Sequence, residues 1–325
     1  MMINLIGKNA DLMMSRLKSW RLKDGNGTEG DSLTLVINSD DIDGIPPKGE
    51  RYSVMLGDVS RDEFQISKRS ISLHPREITL VLTVAPFAIT DETGYRERKS
   101  ASWDNKTLGQ IVSDCVTPHG FSVFVHSRLQ KIVIEHLDRC EESTPAFLNR
   151  LAKQYDAVAK PSEGRFVFVP IGEQRSASGK AIQSITLSLY QENEPRLPEF
   201  INVSADLDGR NDFSGVRAYY LSTADGSRKE VRLGSSPFKR IGKDKNSKAE
   251  AEQACATELR KLQRQGRKIT IDAPVNPTAF AEGIVIMDES FPRAFQGKCS
   301  IDQVSFSGQG LQPTRMVIQA TLTGE

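Results

Sequence analysis

Cys115 and His119 stand four residues apart in the stretch SWDNKTLGQIVSDCVTPHGFSVFV, residues 102–125. In a helix this spacing puts both side chains on one face, one turn apart. A thiol beside an imidazole can be a nucleophile with its general base, or half of a metal site. An internal echo argues for a blander role. A shift of 36 positions matches Ile111 to Phe147, Val112 to Leu148, Cys115 to Leu151, Val116 to Ala152 and His119 to Tyr155. A position filled by Leu in the second copy asks for volume, not for a thiolate, so Cys115 is expected to pack in a core. His119, between Pro118 and Gly120, is expected to end the helix over its last turn.

The other chemistry-bearing residues form no pattern. His74, His126 and His136 do not pair with one another or with a cysteine at ligand spacing. His126 and His136 flank one strand region, and two histidines alone make a weak metal site. Glu141, Glu142 and Asp138 are close in sequence, but sequence cannot place two carboxylates across a glycosidic bond. No G-x-x-x-x-G-K-S/T, G-x-S-x-G or H-E-x-x-H occurs. The expectation is a chain without catalytic residues, bound metal or cofactor.

One basic segment stands apart. Arg228, Lys229, Arg232, Lys239, Arg240, Lys243, Lys245 and Lys248 crowd a Gly- and Ser-rich stretch from Gly226 to Lys248. It reads as a loop joining a strand to a helix. Its one aromatic is Phe238, and Glu230 and Asp244 interrupt the charge, a poor match to a phosphate-tracking groove. Lys239, Arg240, Lys243 and Lys245 are the candidate protein-contact residues.

The elements that would carry these residues follow from periodicity. At 325 residues the chain exceeds one ordinary core, so two or three domains are expected. Lys and Arg number 43 against 42 Asp and Glu, so no global field draws the chain to nucleic acid or an anionic membrane. Four spread cysteines without C-x-x-C read as reduced, buried thiols. The N-terminal stretch, broken by Lys8, Asp11, Arg16 and Lys18, lacks a signal-peptide core. No segment approaches the roughly 20 apolar residues that span a bilayer, so cytoplasmic synthesis without membrane insertion is expected.

Residues 30–97 read as β: SLTLVI, RYSVMLG, EFQISKRSISLH and REITLVLTVAPF, with Ile78, Leu80, Leu82 and Val84 sharing one face. From Lys99 the period turns helical over Thr107–Val116. FSVFV and KIVIEHL then read as strands. A helix capped by Ser143 or Thr144, with Pro145 in its first turn, precedes the strand GRFVFVP, and SITLSLY adds another. After the Pro-broken ENEPRLPE, strands return in FINVSADLDG and GVRAYYLS. The clearest helix runs from Ala249 to Gln265, with Ser247 and Glu250 as a capping box, Ala251, Cys255, Leu259 and Leu262 as its apolar face, and Gly266 as its stop. KITIDAPV, GIVIMD, GKCSIDQVSFSG and TRMVIQATL finish the chain as strands. The fold class is mixed and β-rich, of α+β type.

In their order these blocks resemble the late control gene D family, the baseplate hubs of contractile-tailed phages. DSLTLVI with PPKGERYSVMLGD resembles its first barrel, and SASWDNKTLGQIVSD, with Trp103 and Gly120, its Trp-anchored helix. HLDRCEESTPAFLNRLAKQYDAVAKPSEGRFVFVP is similar to its most distinctive block. RQG, AEGIVIM and GKCSIDQVSFS resemble its last barrel. DRCEES departs from the usual Gln, Thr and Asn of that turn. The resemblance implies tube-like β-barrels over 1–97 and 198–325, the latter with one long helix, around an α+β domain at 98–197. It implies a homotrimeric ring that joins the sixfold tail tube, or its initiator, to a threefold central spike. Other baseplate proteins would surround the ring, and DNA would cross its lumen without specific binding. Since Glu325 directly follows a strand, the spike is expected on a separate polypeptide. The relation extends to the hub part of type VI secretion spikes. The rival classes are a tail-associated peptidoglycan hydrolase, which needs facing carboxylates, and a late-gene regulator, which needs a helix-turn-helix.

Overall fold

The computed structural model describes residues 1–25, 31–84, 93–162, 165–171, 184–190, 200, 202–206, 213–222, 224–265, 268–281 and 283–322. The first part comprises β1 (Ile3–Ile6), α1 (Ala10–Ser15), β2 (Leu17–Gly25), β3 (Ser32–Asn38), β4 (Arg51–Leu56), β5 (Val59–Leu73) and β6 (Arg76–Val84). Alternation sets their register. Leu33, Leu35 and Ile37 of β3 lie opposite Leu82, Leu80 and Ile78 of β6, and all six are buried. A one-residue slip would turn that whole set to solvent. The elements β1, α1 and β2 lie in the stretch that sequence left unassigned.

The middle part holds β7 (Lys99–Thr107), α2 (Leu108–Val116), a 3-10 turn at Thr117–His119, β8 (Ser122–Val125), α3 (Ser127–Gln130), β9 (Val133–Glu142), α4 (Thr144–Tyr155), β10 (Ala157–Ser162) and β11 (Arg165–Pro170). Both main helices start where their caps direct. Thr107 and Gln110 close a reciprocal capping box on α2. Ser143 Oγ accepts from Ala146 N, and Pro145 sits in the first turn of α4. Asp156 ends α4 in the left-handed region at φ 54°. A β7–β9 ribbon and a β10–β11–β8 sheet enclose these helices.

Next come β12 (Ile185–Leu187), β13 (Asn202–Asp206), β14 (Gly215–Leu221), β15 (Arg228–Gly234), β16 (Phe238–Arg240), α5 (Lys248–Gln265), β17 (Lys268–Ala273), β18 (Ile284–Met287), β19 (Gly297–Gln309) and β20 (Gln312–Leu322). The linker ENEPRLPE and the stop residue Gly266 lie outside the described residues. The stretch expected as a solvated loop is instead folded: β15 and β16 flank β14 in a three-stranded sheet, and α5 covers one side through Ala251, Cys255 and Leu262. Among the described residues no helix is long and apolar enough to cross a membrane.

The two terminal β regions are one sheet. Its order is β1-β4-β5-β6-β3-β2-β19-β20-β17-β13, with β12 and β18 branching from β19. The seam is β2 against β19, from Gly25–Gln303 to Ser19–Gln309. One row of buried side chains crosses it without a break: Ile66, Leu82, Leu33, Leu22, Phe306, Met316 and Ala273. At Gly308 a Cβ would meet Gln312 O at 2.3 Å and the Trp20 indole at 2.5 Å, so only glycine lets Trp20 lie across the seam.

A buried charge locks the same junction. Arg61, 6% exposed, donates from Nη2 to Pro277 O at 2.6 Å and Ala279 O at 2.8 Å, and from Nη1 to Asp24 Oδ2 at 3.4 Å. Its guanidinium lies 4.0 Å from the Phe280 ring centroid and 4.5 Å from that of Phe306. Asp24 Oδ2 also accepts from Ala281 N, and Lys160 of β10 reaches Gly25 O at 3.3 Å and Asp24 at 3.9 Å. Three parts of the chain meet there. Asp31, whose Oδ1 accepts from Gly25 N, is pushed from 3.8 up to about 6 by withdrawal from water and by the Asp24 carboxylate.

Two outcomes are expected. Arg61→Ala removes the buried partner of Asp24 and frees the Pro277 and Ala279 carbonyls, leaving Lys160 at 3.9 Å as the balancing charge, and should cost about 3 to 5 kcal/mol in urea unfolding. A raised native pKa means that the native state binds the Asp31 proton more tightly than the unfolded chain. The associated stability is full below 3.8 and lost as pH rises through about 6. Asp31→Asn should therefore raise the melting temperature above pH 6 and change it little near pH 4.

Candidate functional site

The Cys115–His119 stretch forms the helix that its pattern predicts. Leu108, Ile111, Val112, Cys115 and Val116 are the buried residues of α2. Phe147, Leu148, Leu151, Ala152 and Tyr155 are the matching residues of α4. Both sets join one core with Trp103, whose ring stacks on Phe147 at 5.2 Å. Cys115 is 4% exposed. Burial pushes its thiol up to about 12, and the neighbouring Arg139 offsets only part of that. A nucleophilic cysteine needs the opposite shift. His119 ends the 3-10 turn, with Gly120 in the left-handed region at φ 84°. Its Nε2 lies 3.3 Å from Thr144 Oγ1 and its ring stands edge-on to Tyr95. The pair is core and cap.

The remaining candidates have local partners. His126 caps α3, its Nδ1 accepting from Arg128 N. His136 lies between Asp104 Oδ1 at 2.6 Å and Asp138 Oδ2 at 3.1 Å. Only the imidazolium donates from both nitrogens, and these bonds, Asp104 first, raise its pKa. His74 is exposed between β5 and β6. Glu142 accepts from Arg150, and Glu141 from Ser100. Among the described residues no three His, Cys, Asp or Glu side chains converge as metal ligands. The expectation of buried thiols fails at Cys140, which is exposed. On β9 the alternation turns Arg139 inward and Cys140 out.

The basic segment separates into two faces. Toward α5, Val216 and Ala218 are buried, with Tyr220 and Val231 packed beside them. Lys239 pairs with Glu258 at 2.8 Å and Lys245 with Glu250 at 3.6 Å, so two of the four expected contact residues are engaged by the helix. Ser247 Oγ accepts from Glu250 N, while the Glu250 carboxylate reaches Asn246 N. The expected box thus closes one residue early. Lys243 is exposed.

The opposite face is open. Register aligns Arg217 with Arg232 and Arg240, Tyr219 with Glu230, and Leu221 with Arg228. The Arg228 guanidinium lies 4.0 Å from the Tyr219 ring centroid, that of Arg240 lies 5.3 Å from it, and that of Arg232 lies 5.6 Å from Phe238. Phe238 covers Gly215, where a Cβ would meet its ring at 2.6 Å. Asp244 takes a two-pronged bond from Arg228 at 2.7 and 2.8 Å, and Glu230 lies between Arg217 at 3.7 Å and Arg232 at 2.6 Å. These partners hold both carboxyls below their ordinary values. Sequence reasoning missed this face because the alternation of Arg217, Tyr219 and Leu221 with Val216, Ala218 and Tyr220 becomes two-sided only once α5 covers one side.

Residues 74–311 match the family model for the phage tail baseplate hub (GPD). The chain is 27% identical over 242 residues to the probable baseplate hub protein of Escherichia phage 186, covering 72% of this chain and 58% of that one. It is 28% identical over 216 residues to the corresponding protein of Escherichia phage P2, covering 65% and 53%. The match thus spans a little over half the length of these curated relatives. The fold is similar to the 43 kDa tail protein of prophage MuSo2 from Shewanella oneidensis, with a TM-score of 0.70 at 14% identity, over 99% of this chain and 98% of that one.

The packing account of Cys115 has direct consequences. Cys115→Ala should cost about 1 to 3 kcal/mol through a small cavity, with Cys115→Leu milder, and neither should alter assembly of folded protein. In native protein at pH 8, a thiol reagent should modify Cys140 fast and Cys115, Cys255 and Cys299 slowly. Unfolding should release all four.

Proposed function

The chain belongs to the phage tail baseplate hub family, and from that premise we propose that it serves as the hub of a contractile phage or prophage tail. Three copies form a ring, with residues 1–97 and 198–325 as tube-like units around the unit at 98–197. The ring joins the sixfold tail tube, or its initiator, to a threefold central spike within the baseplate. DNA crosses the lumen without specific binding, and the protein acts by shape and contact, not by catalysis. It assembles in the host cytoplasm and resides in the virion tail.

The observation that carries this reading is the family match over most of the chain. Physical features support it. A single sheet through both terminal regions, locked by Arg61, resists shear between its two ends, as a load-bearing adaptor requires. That sheet also has edges to cover. Among the described residues β13 pairs only with β17, while β1, beyond its pairing with β4, donates from Ile3 N to Leu311 O at 3.0 Å. Beyond Gln65, where its pairing with β4 ends, β5 runs on to Leu73 with Ile71 53% and Leu73 71% exposed. An open strand edge bearing large apolar side chains invites association unless a partner covers it. A neighbouring copy in a closed ring would do so without leaving further edges.

Sedimentation of the purified chain, alone and with the spike protein, tests the ring. A threefold mass is expected. A dispersed monomer at high concentration with spike present would overturn the reading. Ile71→Asp with Leu73→Asp should leave the fold intact and shift the assembly toward smaller species.

A further inference from the structure

We infer that the open face of the β14–β15–β16 sheet is a docking surface for an acidic protein segment, an extended stretch of another chain with carboxylates on alternate residues. The face carries Arg217, Arg228, Arg232 and Arg240 around Tyr219 and Phe238, with Leu221 at its margin. Its side chains are available. Arg217, Arg228 and Arg232 expose 39%, 43% and 58% of their side chains, and Leu221 is 56% exposed. Four guanidinium groups face two carboxylates, Glu230 and Asp244, among the described residues, so the surface keeps a positive excess although the whole chain is nearly neutral.

The geometry favours carboxylate over phosphate. Arg228 already shows the mode of recognition, gripping Asp244 with two parallel bonds, the planar fork that matches a carboxylate. Stacking on Tyr219 and Phe238 holds the guanidinium planes in place, so little freedom remains to be lost on binding. The same stacking occupies Tyr219 with Arg228 and Arg240, leaving it ill placed to stack a nucleic-acid base. Arg240 stacks on Tyr219 with no carboxylate within ion-pair distance among the described residues, and it is the anchor this surface offers. Arg228 and Arg232 lie four residues apart on one strand, roughly 13 Å, and carboxylates on alternate residues of an extended partner recur about every 7 Å, so every second one meets a guanidinium. Leu221 supplies the apolar contact that such a strand's other residues need.

This inference deepens the hub reading by giving one contact its chemistry, but its test needs no ring. The probe is a fluorescein-labelled peptide of alternating Glu and Val, eight residues long by the usual size of a strand, about 3 to 10 residues. Anisotropy with the full chain should show binding that weakens as salt rises. Arg232→Gln with Arg240→Gln should weaken it about tenfold, with the circular dichroism spectrum unchanged. Arg240→Gln alone removes an exposed group that lies over the Tyr219 ring and near the Asp244 charge, so the variant should fold and still weaken binding severalfold. Removal of two exposed charges elsewhere, Lys8→Gln with Lys68→Gln, should leave binding as it was. Absence of peptide binding, equal weakening by the Lys8 and Lys68 pair, or indifference to the arginine changes would overturn the inference. Labelled single-stranded oligothymidine that bound more tightly than the peptide, and lost binding in the arginine variant, would overturn it in favour of nucleic acid. A monomeric hub in sedimentation would refute the ring and leave this surface standing.

Discussion

The pairing of β2 with β19 is the constraint on which the rest of the molecule depends. It brings residues 19–25 against residues 303–309, at the cost of closing a loop of nearly the whole chain. The row from Ile66 through Leu22 and Phe306 to Ala273 offsets that cost, because every side chain in it is buried. Arg61 fixes the seam from a second direction. Its bonds to Pro277 O and Ala279 O satisfy carbonyls of the C-terminal half from a strand of the N-terminal half, and a buried cation so held tolerates no sliding.

Polar contacts tie the middle unit to the rest of the chain. Lys160 reaches Gly25 and Asp24, and Lys261 of α5 donates to Lys153 O at 2.6 Å. Its own stability comes from two helices of equivalent pattern sharing one core. Cys115 and His119 belong to that economy of volume: the thiol fills the place that Leu151 fills in α4, and the imidazole ends a turn against Tyr95 and Thr144. Charge on an exposed sheet face sets orientation and partner choice more than raw affinity.

Much of this was legible from sequence. Strand β3 and strand β6 alternate, so their existence and their buried faces follow from residue type alone. Thr107 with Gln110, and Ser143 before Pro145, mark helix starts because capping is local chemistry. The echo between α2 and α4 was enough to assign Cys115 to a core. The open arginine face was not legible, since Gly226–Lys248 has the composition of a solvated loop. Val231 is too little apolar material to announce a strand until α5 provides Ala251, Cys255 and Leu262 to pack against.

Sequence by itself determined the elements whose causes lie within a few residues: the alternating strands, the capped helices, and the volume demanded at positions 115 and 151. Tertiary structure alone decided which distant elements meet. It joined β2 to β19, buried Arg61 between two phenylalanine rings, turned Cys140 outward, and divided the basic residues so that Lys239 and Lys245 pair with α5 while Arg240 faces solvent. The physical reason is that a side chain's pattern specifies only that one face must be covered. What covers it depends on the summed burial of surfaces hundreds of residues apart, a quantity carried by no local stretch of the chain.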